Sequence, residues 1–298
     1  MRVSVIGGGA IGLLISYFLK LNQHEPVLYT RTLEQAKAIN QSGLTYIDNF
    51  GNTETIHIEV KQVEEYAGFE DYCVVTVTQN AIKDLRFLHQ RTFNNISLLF
   101  LQNGMGHIDW IKNLPQENIS VGVVEHGAMK EGYTSVHHVG MGKVKVSAFR
   151  GNFALDWQSI FSKVELFPVT LESNWEKMLL IKLIINASIN PVTAMLRIPN
   201  GQLLDNGYAY KMMKHLFEET IHVLNMNGMK DDLWKELLTI CRNTSLNRSS
   251  MLKSIESGKQ TEIDSITGEI IKQANSMNKP VPFSRFAYYA VKGLEWRG

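Results

Sequence analysis

The sequence is poor in several features that mark particular classes of protein. Only two cysteines occur among 298 residues, which excludes a disulfide framework and argues against a cysteine-rich zinc cluster. Thirty basic and twenty-nine acidic residues give a formal net charge of +1. The chain therefore lacks the basic excess of a nucleic-acid-binding protein and the charge run of an acidic tail. It also contains no internal repeat and no low-complexity segment.

Long uninterrupted apolar runs are missing as well. The apolar stretch nearest the start, Ala10–Leu21, is shorter than a membrane span, and Lys20 and Asn22 close it. Three glycines precede it where the apolar centre of a secretory signal would begin, and no Ala-x-Ala site follows. Because the two cysteines are also unclustered, these features predict a cytoplasmic protein with no membrane partner.

The length suits two domains, at roughly 150 residues per domain. Short β-type runs alternate with helical stretches in the first half, which predicts an α/β domain over residues 1–167 with a doubly wound parallel sheet. An antiparallel hairpin is predicted over residues 132–148. After Pro168 the spacing is helical, which predicts an all-α domain over residues 168–298, including one helix over 231–257.

The clearest motif is Gly7-Gly8-Gly9-Ala10-Ile11-Gly12, between a predicted strand and a predicted helix. Gly7 permits the tight turn, Gly9 lets the backbone approach a pyrophosphate, and Gly12 lets the helix pack on its strand. The N–H groups at the helix start, around Ala10 and Ile11, attract phosphate. The motif predicts a Rossmann-type dinucleotide site in the first domain; the alternative is a glycine-rich turn without a ligand.

The residue after the second strand bears on the choice of cofactor. NAD sites usually carry Asp or Glu at this place, whereas here the strand ends in Thr30-Arg31. A guanidinium pairs with a 2′-phosphate that a carboxylate would repel. Arg31 therefore favours NADP(H); the alternative is a solvated surface arginine.

One helix in the second half is apolar nearly all round and yet contains a lysine. Lys182, Asn186 and Asn190 recur every four residues and share one face, and Asn190-Pro191 predicts a bend or an end. Burying a lysine without partners is costly, so this stripe indicates a polar network or a wet cleft. Burial also makes a lysine a better proton donor near neutrality. The alternative is a lysine whose amine reaches the surface.

Other polar residues stand at the ends of predicted elements. Asn103 follows a strand at the edge where parallel sheets bind ligands, although turn asparagines are common there. Glu262 begins the last predicted helix, where an acid is also favoured by the helix dipole. His126 follows another strand and suits a general acid or, more simply, a core histidine. No His, Cys or Asp grouping has metal-ligand spacing, so no metal is expected.

Taken in order, these motifs resemble the 2-dehydropantoate 2-reductase (ketopantoate reductase) family. The resemblance runs nearly end to end, and the motifs that carry it are Gly7-x-Gly9-Ala10-x-Gly12, Arg31, Asn103-Gly104-Met105-Gly106, His126-Gly127-Ala128, Lys182-x-x-x-Asn186-x-x-x-Asn190-Pro191, Pro199-Asn200-Gly201, Ser249-Ser250-Met251-Leu252 and Thr261-Glu262-Ile263-Asp264.

The resemblance implies NADPH-dependent reduction of ketopantoate to (R)-pantoate in pantothenate and coenzyme A biosynthesis. It implies that Lys182 is the general acid, that Glu262 binds and orients the substrate, and that Arg31 binds the 2′-phosphate. Further positions match contacts to the substrate or to the nearby part of the cofactor: Asn103, Asn186, Asn190, Asn200 and Ser250. The expected partner is a small 2-keto acid, and the chain is expected to be a monomer or a homodimer.

Two departures from the family pattern keep alternatives open. The family often has a lysine just after the strand at 74–77, where this chain reads Thr76-Val77-Thr78-Gln79-Asn80. It also often has an aspartate where this chain has Lys253-Ser254. The alternatives are an NADPH-dependent reductase of another 2-keto acid or an imine, and a non-catalytic NADPH-binding regulator. A regulator would have no need of the proton donor Lys182.

Overall fold

The computed structural model describes residues 1–90, 93, 95–152 and 154–296. The chain forms two compact units. The first contains residues 1–102 and 107–178, and the second contains residues 103–106 and the chain from 179 onward.

The boundary between the two units lies further along the chain than the sequence predicts. The change of pattern after Pro168 places the boundary at 167/168, whereas the first unit runs to Met178. The reason is that Val169–Leu171 forms one more strand, which pairs in parallel with the segment at 144–146. The short segment Asn103–Gly106 also leaves the first unit and joins the second.

The first unit holds twelve strands and four complete α-helices among its described residues, besides short 3₁₀ helices. In chain order these are β1 (Arg2–Ile6), α1 (Ala10–Leu21), β2 (Glu25–Thr30), α2 (Leu33–Ser42), β3 (Leu44–Ile47), β4 (Thr53–Ile56), β5 (Glu59–Gln62), β6 (Tyr72–Val75), β7 (Ser97–Phe100), α3 (Ile108–Ile111), β8 (Ile119–Val124), β9 (Gly127–Glu131), β10 (Ser135–Gly140), β11 (Val144–Arg150), α4 (Ala154–Ile160) and β12 (Val169–Leu171).

Eight of these strands form the main sheet, in the order β12-β11-β8-β7-β6-β1-β2-β5. The strands from β8 to β5 run parallel, and β11 pairs antiparallel with β8. Val3, Val5 and Val74 are fully buried, as expected for strands covered on both faces. The predicted α/β class with a doubly wound parallel sheet is confirmed.

A second sheet, in the order β4-β3-β10-β9, was not evident from the sequence. The hairpin predicted over residues 132–148 is wrong, because β10 pairs with β9 and β11 pairs with β8 of the main sheet. The hairpin turn instead lies between β9 and β10, where Gly132 adopts a φ of +59° that favours glycine.

Helix α1 lies between the main sheet and the second sheet. Tyr17 stacks on Tyr46 of β3, with ring centroids 4.1 Å apart. Phe18 stacks on Phe167 at 4.6 Å and also meets the edge of His138 on β10. The helix is therefore covered on two sides, which explains why it is apolar beyond one stripe.

The second unit is helical, as predicted. Its elements are α5 (Trp175–Leu196), which begins in the first unit, α6 (Gln202–Asp205), α7 (Gly207–Val223), α8 (Lys230–Asn243), α9 (Ser250–Glu256), α10 (Ile263–Ser276) and α11 (Pro282–Glu295). Among the described helices, α5 alone is long and apolar enough to cross a membrane, but 61% of its most apolar window is buried inside the protein. We interpret α5 as a core helix.

The helix end predicted as one alternative at Asn190-Pro191 is wrong, because α5 continues through Pro191 to Leu196. Proline normally disrupts a helix by removing an N–H and crowding the preceding turn. Here Val192 and Ala194 are fully buried in the core of the second unit, so tertiary packing outweighs that cost. The Thr193 hydroxyl also lies 3.1 Å from the carbonyl oxygen of Ile189.

The single helix predicted over residues 231–257 is two helices, α8 and α9, separated by a loop. Ser249 caps the second of them, because its Oγ accepts from the amide of Leu252 at 3.1 Å. Ser249 and Ser250 are therefore at a helix start, where serine is favoured, and not inside a helix.

Candidate active site

The glycine turn between β1 and α1 is built as the motif predicts. Gly7 has a φ of +118°, and a Cβ there would lie 2.8 Å from Oγ1 of Thr76. A Cβ on Gly12 would overlap the carbonyl oxygen of Gly7. Both glycines are thus required by the fold itself, one for the turn and one for the approach of the helix.

Gly9 differs from the other two. Its φ of −79° suits any residue, and a Cβ there would have no neighbour within 4 Å. Because Gly9 has no side chain, it cannot cap α1, and the first amides of the helix, at Ala10 and Ile11, receive no side-chain hydrogen bond from it. The open space beside Gly9 fits a group that approaches the backbone closely, such as a pyrophosphate.

This turn lines a cleft of about 520 Å³ in the first unit. Arg31, which is exposed and follows β2 directly, lines the same cleft. So do the residues that follow β6, Thr76–Thr78. Of the sequence-predicted cofactor residues, Gly7, Gly9 and Arg31 therefore lie around one cavity. The remaining ones are not among its lining residues: Ala10, Ile11, Gly12 and Asn103.

Three residues of this cleft were missed by the sequence analysis. Thr76 donates through Oγ1 to the carbonyl of Gly7 at 3.0 Å. Gln35 and Lys130 both donate to the carbonyl of Gly8, at 2.8 and 3.0 Å. Thr76 could have been found, because it follows the strand next to β1. Lys130 could not, since it belongs to the second sheet.

In the second unit, two residues far apart in the sequence meet. Asn103 donates through Nδ2 to Oε2 of Glu262 at 2.9 Å. Asn103 follows β7, and Gly104, with a φ of +79°, turns the chain after it. Glu262 precedes α10 but makes no side-chain cap for that helix. Its carboxylate is therefore directed to Asn103, which is a different role from the helix-dipole acid that the sequence equally allows.

The environment of Glu262 raises the pKa of its carboxyl group. Burial is the largest cause, and it outweighs the hydrogen bond from Asn103 and the positive charge of Lys182, which both lower the pKa. Asn103, Lys182 and Glu262 thus form one electrostatic cluster, although they lie in the segment after β7, on α5 and just before α10.

The backbone before Glu262 is held by α11. Both the amide and the hydroxyl of Thr261 donate to Oε1 of Glu295, at 2.7 and 2.6 Å. The same hydroxyl accepts from the amide of Ile263 at 3.1 Å. These three bonds fix the two residues that flank Glu262, so its side chain departs from a rigid base.

The polar stripe of α5 has the arrangement expected from its spacing. Lys182 and Asn186 are half-buried, and Asn190 is buried with 7% of its surface exposed. The rest of this helix supplies buried apolar residues to the core of the second unit, including Leu183, Ile184 and Ala187.

Asn200 and Ser250 are held by separate contacts. Asn200 is 8% exposed, and its Nδ2 donates to Oγ1 of Thr244 at 2.9 Å. Its Oδ1 is buried without a hydrogen-bond partner among the described residues. Ser250 is exposed at the start of α9, which is joined to α5 because Thr193 donates to Ser249 Oγ at 2.7 Å.

His126 is a core histidine. Its Nδ1 accepts from the amide of Gly142 at 3.2 Å and lies 2.9 Å from Nε2 of His138. Nδ1 of His138 lies 3.0 Å from the hydroxyl of Tyr46. Burial and the nearby His138 lower the pKa of His126 to about 3. A group that stays neutral and buried at physiological pH is poorly suited to general acid catalysis.

Comparison with known proteins gives matches over nearly the whole chain. The family model described as ketopantoate reductase PanE/ApbA matches residues 3–151, and the model of its C-terminal part matches residues 174–295. The 2-dehydropantoate 2-reductase of Bacillus subtilis is 35% identical over 297 residues, which cover 99% of this chain and 98% of the relative. The 2-dehydropantoate 2-reductase of Listeria innocua is 33% identical, and the match covers 99% of this chain and 97% of that relative.

Solved structures also match over nearly the whole chain. A probable 2-dehydropantoate 2-reductase from Bacillus subtilis matches with a TM-score of 0.88 at 35% identity, over 99% of this chain and all of that one (100%). A D-mandelate dehydrogenase with NADH and anilino(oxo)acetate also has a TM-score of 0.88, over 99% and 98% of the two chains, but at 22% identity it shows the fold alone. The chain is an oxidoreductase and belongs to the ketopantoate reductase family.

Proposed function

We propose that this enzyme reduces ketopantoate to (R)-pantoate with NADPH, and that Lys182 is the proton donor. The observation that carries the proposal is the cluster of Asn103, Lys182 and Glu262, which joins a cation to a half-buried, hydrogen-bonded carboxylate. Such a pair of oppositely charged groups suits a substrate that has both a ketone to protonate and a hydroxyl to recognise. The relatives named as 2-dehydropantoate 2-reductases supply the substrate hypothesis.

The choice of NADPH rests on the first unit. The open space at Gly9 fits a pyrophosphate, and the exposed guanidinium of Arg31 beside the same cleft fits a 2′-phosphate. When bound, the cofactor supplies a hydride to the ketone carbon. Gly7 and Gly12 shape the turn, the amides of Ala10 and Ile11 face the phosphates, and Arg31 selects the phosphorylated ribose.

The charge that develops on the ketone oxygen has to be neutralised by this chain. Lys182 donates a hydrogen bond to that oxygen and then transfers a proton from Nζ, which yields the alcohol. A positioned proton donor of this kind typically contributes about a hundred- to ten-thousand-fold in rate. Asn186 and Asn190, one and two turns along α5, keep the same face polar.

Recognition of the rest of the substrate falls to the other polar residues. Ketopantoate carries a hydroxyl group two carbons from its ketone, and Glu262, in its ionised form, accepts a hydrogen bond from that hydroxyl. Asn103 holds the carboxylate of Glu262 in place. The buried Oδ1 of Asn200, which has no partner among the described residues, is an acceptor for a bound water, and Ser250 is a donor for the substrate carboxylate.

The test measures the rate of NADPH oxidation with ketopantoate, pyruvate or 2-ketoisovalerate as the substrate. The loss of NADPH absorbance monitors each reaction. 2-Ketoisovalerate lacks the hydroxymethyl group but keeps a branched carbon skeleton, so it tests the proposed role of Glu262. We expect the highest kcat/KM with ketopantoate. Equal or faster turnover of another acid would replace ketopantoate by that acid, and tight NADPH binding without turnover of any acid would indicate a regulator.

Two further expectations concern the setting of the enzyme. We expect a cytoplasmic protein, because α5 packs as a core helix and the two cysteines are buried and unpaired. We also expect a monomer or a homodimer. A ketopantoate reductase from Staphylococcus aureus with 19% identity is described as dimeric, and light scattering on the purified chain distinguishes the two states.

A further inference from the structure

Lys130 is a cation at the dinucleotide cleft that belongs to neither the glycine motif nor the main sheet. It lies on β9 of the second sheet, is half-buried, and lines the same cleft as Gly7, Gly9 and Arg31. Its Nζ donates to the carbonyl oxygen of Gly8 at 3.0 Å. The second sheet thus reaches the turn that connects β1 with α1 and delivers a positive charge there.

The position of Lys130 is fixed from more than one side. Nζ of Lys130 lies 5.7 Å from the ring centroid of Tyr133, in the turn after β9, within the range of a cation–π interaction. Gln35 of α2 donates to the carbonyls of both Gly8 and Tyr133, at 2.8 and 3.1 Å. Gln35 therefore ties the β9–β10 turn to the glycine turn.

These contacts also say on which side of the glycine turn Lys130 lies. A Cβ on Gly8 would meet the side chain of Gln35 at 2.7 Å, so Gly8 faces α2, the helix that begins just after Arg31. Lys130 donates to the same carbonyl of Gly8 as this Gln35 side chain, so its amine also lies at the α2 end of the turn. Lys130 is thus on the side of Arg31, where the ribose of a dinucleotide binds.

The charges around the cleft favour a second cation beside a bound phosphate. Besides Arg31 and Lys130, the cleft is lined by two acids, Glu64 and Asp84. The four charges balance when both cations are present. If Lys130 were neutral, the lining would carry a net negative charge, and a phosphate dianion would meet repulsion from the cleft as a whole.

We infer that Lys130 binds the ribose 2′-phosphate of NADPH together with Arg31 and so contributes to the choice of NADPH over NADH. This inference rests on the proposed cofactor. An ammonium group has three N–H donors, so Lys130 can keep its bond to Gly8 while it contacts the phosphate. Lys130 is then a specificity-determining residue that is contributed by the second sheet.

The test compares Lys130→Gln with the wild-type enzyme and with the control Lys20→Gln. Glutamine at 130 keeps an N–H donor for Gly8 but removes the charge. Lys20 lies at the far end of α1 from the glycine turn and pairs with Glu25. The dissociation constants of NADPH, NADH and 2′,5′-ADP are measured by fluorescence titration and calorimetry, so no turnover is needed.

We expect Lys130→Gln to raise the dissociation constants of NADPH and 2′,5′-ADP by about tenfold, since a charge-assisted hydrogen bond at a partly exposed site is lost. Lys130→Gln should bind NADH as the wild type does, and Lys20→Gln should bind all three ligands normally. Lys130→Arg keeps the positive charge and should retain NADPH binding. An equal loss for NADPH and NADH, or no loss for either, would overturn the inference.

The outcomes also separate this inference from the proposed cofactor. If the wild-type enzyme prefers NADPH and Lys130→Gln keeps that preference, the inference fails while the proposed function stands. If the wild-type enzyme binds NADH as tightly as NADPH, the proposed cofactor is wrong and the role of Lys130 falls with it. Thermal unfolding of each variant checks that the first unit remains folded.

Discussion

The two units build their polar sites in different ways. In the first unit the site is mainly backbone: a turn of six consecutive residues, the start of one helix and the residue after one strand. In the second unit it is made of side chains, and Asn103 and Glu262 meet although they are 159 positions apart. A backbone site recognises what dinucleotides share, whereas a side-chain site recognises one substrate. The difference suits an enzyme whose cofactor is shared with many other enzymes and whose substrate is not.

The largest expected effect is on the chemistry assigned to the second unit. Lys182→Ala should lower kcat by about a hundred- to ten-thousand-fold, because the proton donor is lost. Binding of NADPH, assigned to the first unit, should remain as in the wild type in a fluorescence titration. The matched control is Lys177→Ala, an exposed lysine on the same helix. Near-normal turnover by Lys182→Ala would show that the proton comes from elsewhere.

The next effect separates the two kinds of glycine in the first unit. Gly12→Ala should lower the thermal midpoint and abolish NADPH binding, because its Cβ would overlap the carbonyl of Gly7. Gly9→Ala should fold almost normally, since nothing lies within 4 Å of its Cβ, but it should bind NADPH poorly. Thermal melts and titrations of both variants check this, and normal NADPH binding by Gly9→Ala would mean that the open space is not a phosphate site.

A smaller effect concerns cofactor choice. Arg31→Ala should raise the dissociation constant of NADPH by about tenfold, because an exposed charge-assisted pair is lost. The dissociation constant of NADH should be nearly unchanged. Dissociation constants for both cofactors measure this. Lys37→Ala, an exposed cation on α2, is the control for a general loss of positive charge. Equal weakening of the two cofactors would assign Arg31 to another part of the dinucleotide.

The smallest effect is a displacement of the pH profile. The hydrogen bond from Asn103 lowers the pKa of Glu262, so Asn103→Leu should raise that pKa further. Activity that needs the ionised carboxylate falls as the pH drops through this pKa. The acid limb of kcat/KM should therefore move to higher pH, by about one unit. A lower kcat with an unmoved acid limb would mean that Asn103 acts on the substrate alone.

The same contrast explains what the sequence predicts well. The strand, glycine turn and helix at residues 2–21 are specified by neighbours in the chain, and the structure has β1 and α1 with the predicted bounds. Lys182 and the two asparagines of α5 are on one face by helical spacing alone. Such local patterns need no knowledge of distant contacts.

Features that depend on distant contacts were predicted poorly. The second sheet joins segments around residues 44–56 and 127–140, and β3 pairs with β10 although the paired residues, such as Thr45 and Ser135, are far apart in the chain. Pro191 stays helical because the surrounding core holds it. The direction of the Glu262 side chain depends on Asn103, so spacing favoured a helix-end acid, and the resemblance to the family was needed to single the residue out.

Lys130 illustrates the same limit. The sequence shows no lysine directly after β6, where the resemblance leads one to look for a cation. The cleft nevertheless contains a lysine, on a strand that pairs within another sheet. A residue whose role depends on how the second sheet packs on α1 has no signal in the chain around it.

The most direct test of the central claim is the selectivity of Glu262→Gln for ketopantoate over 2-ketoisovalerate. The ratio of the two kcat/KM values is measured for the wild type and the variant at a pH above the raised pKa of Glu262. If the carboxylate recognises the substrate hydroxyl, the ratio should collapse towards one, chiefly through loss of activity on ketopantoate. An unchanged ratio would contradict the assignment of this cluster to substrate recognition.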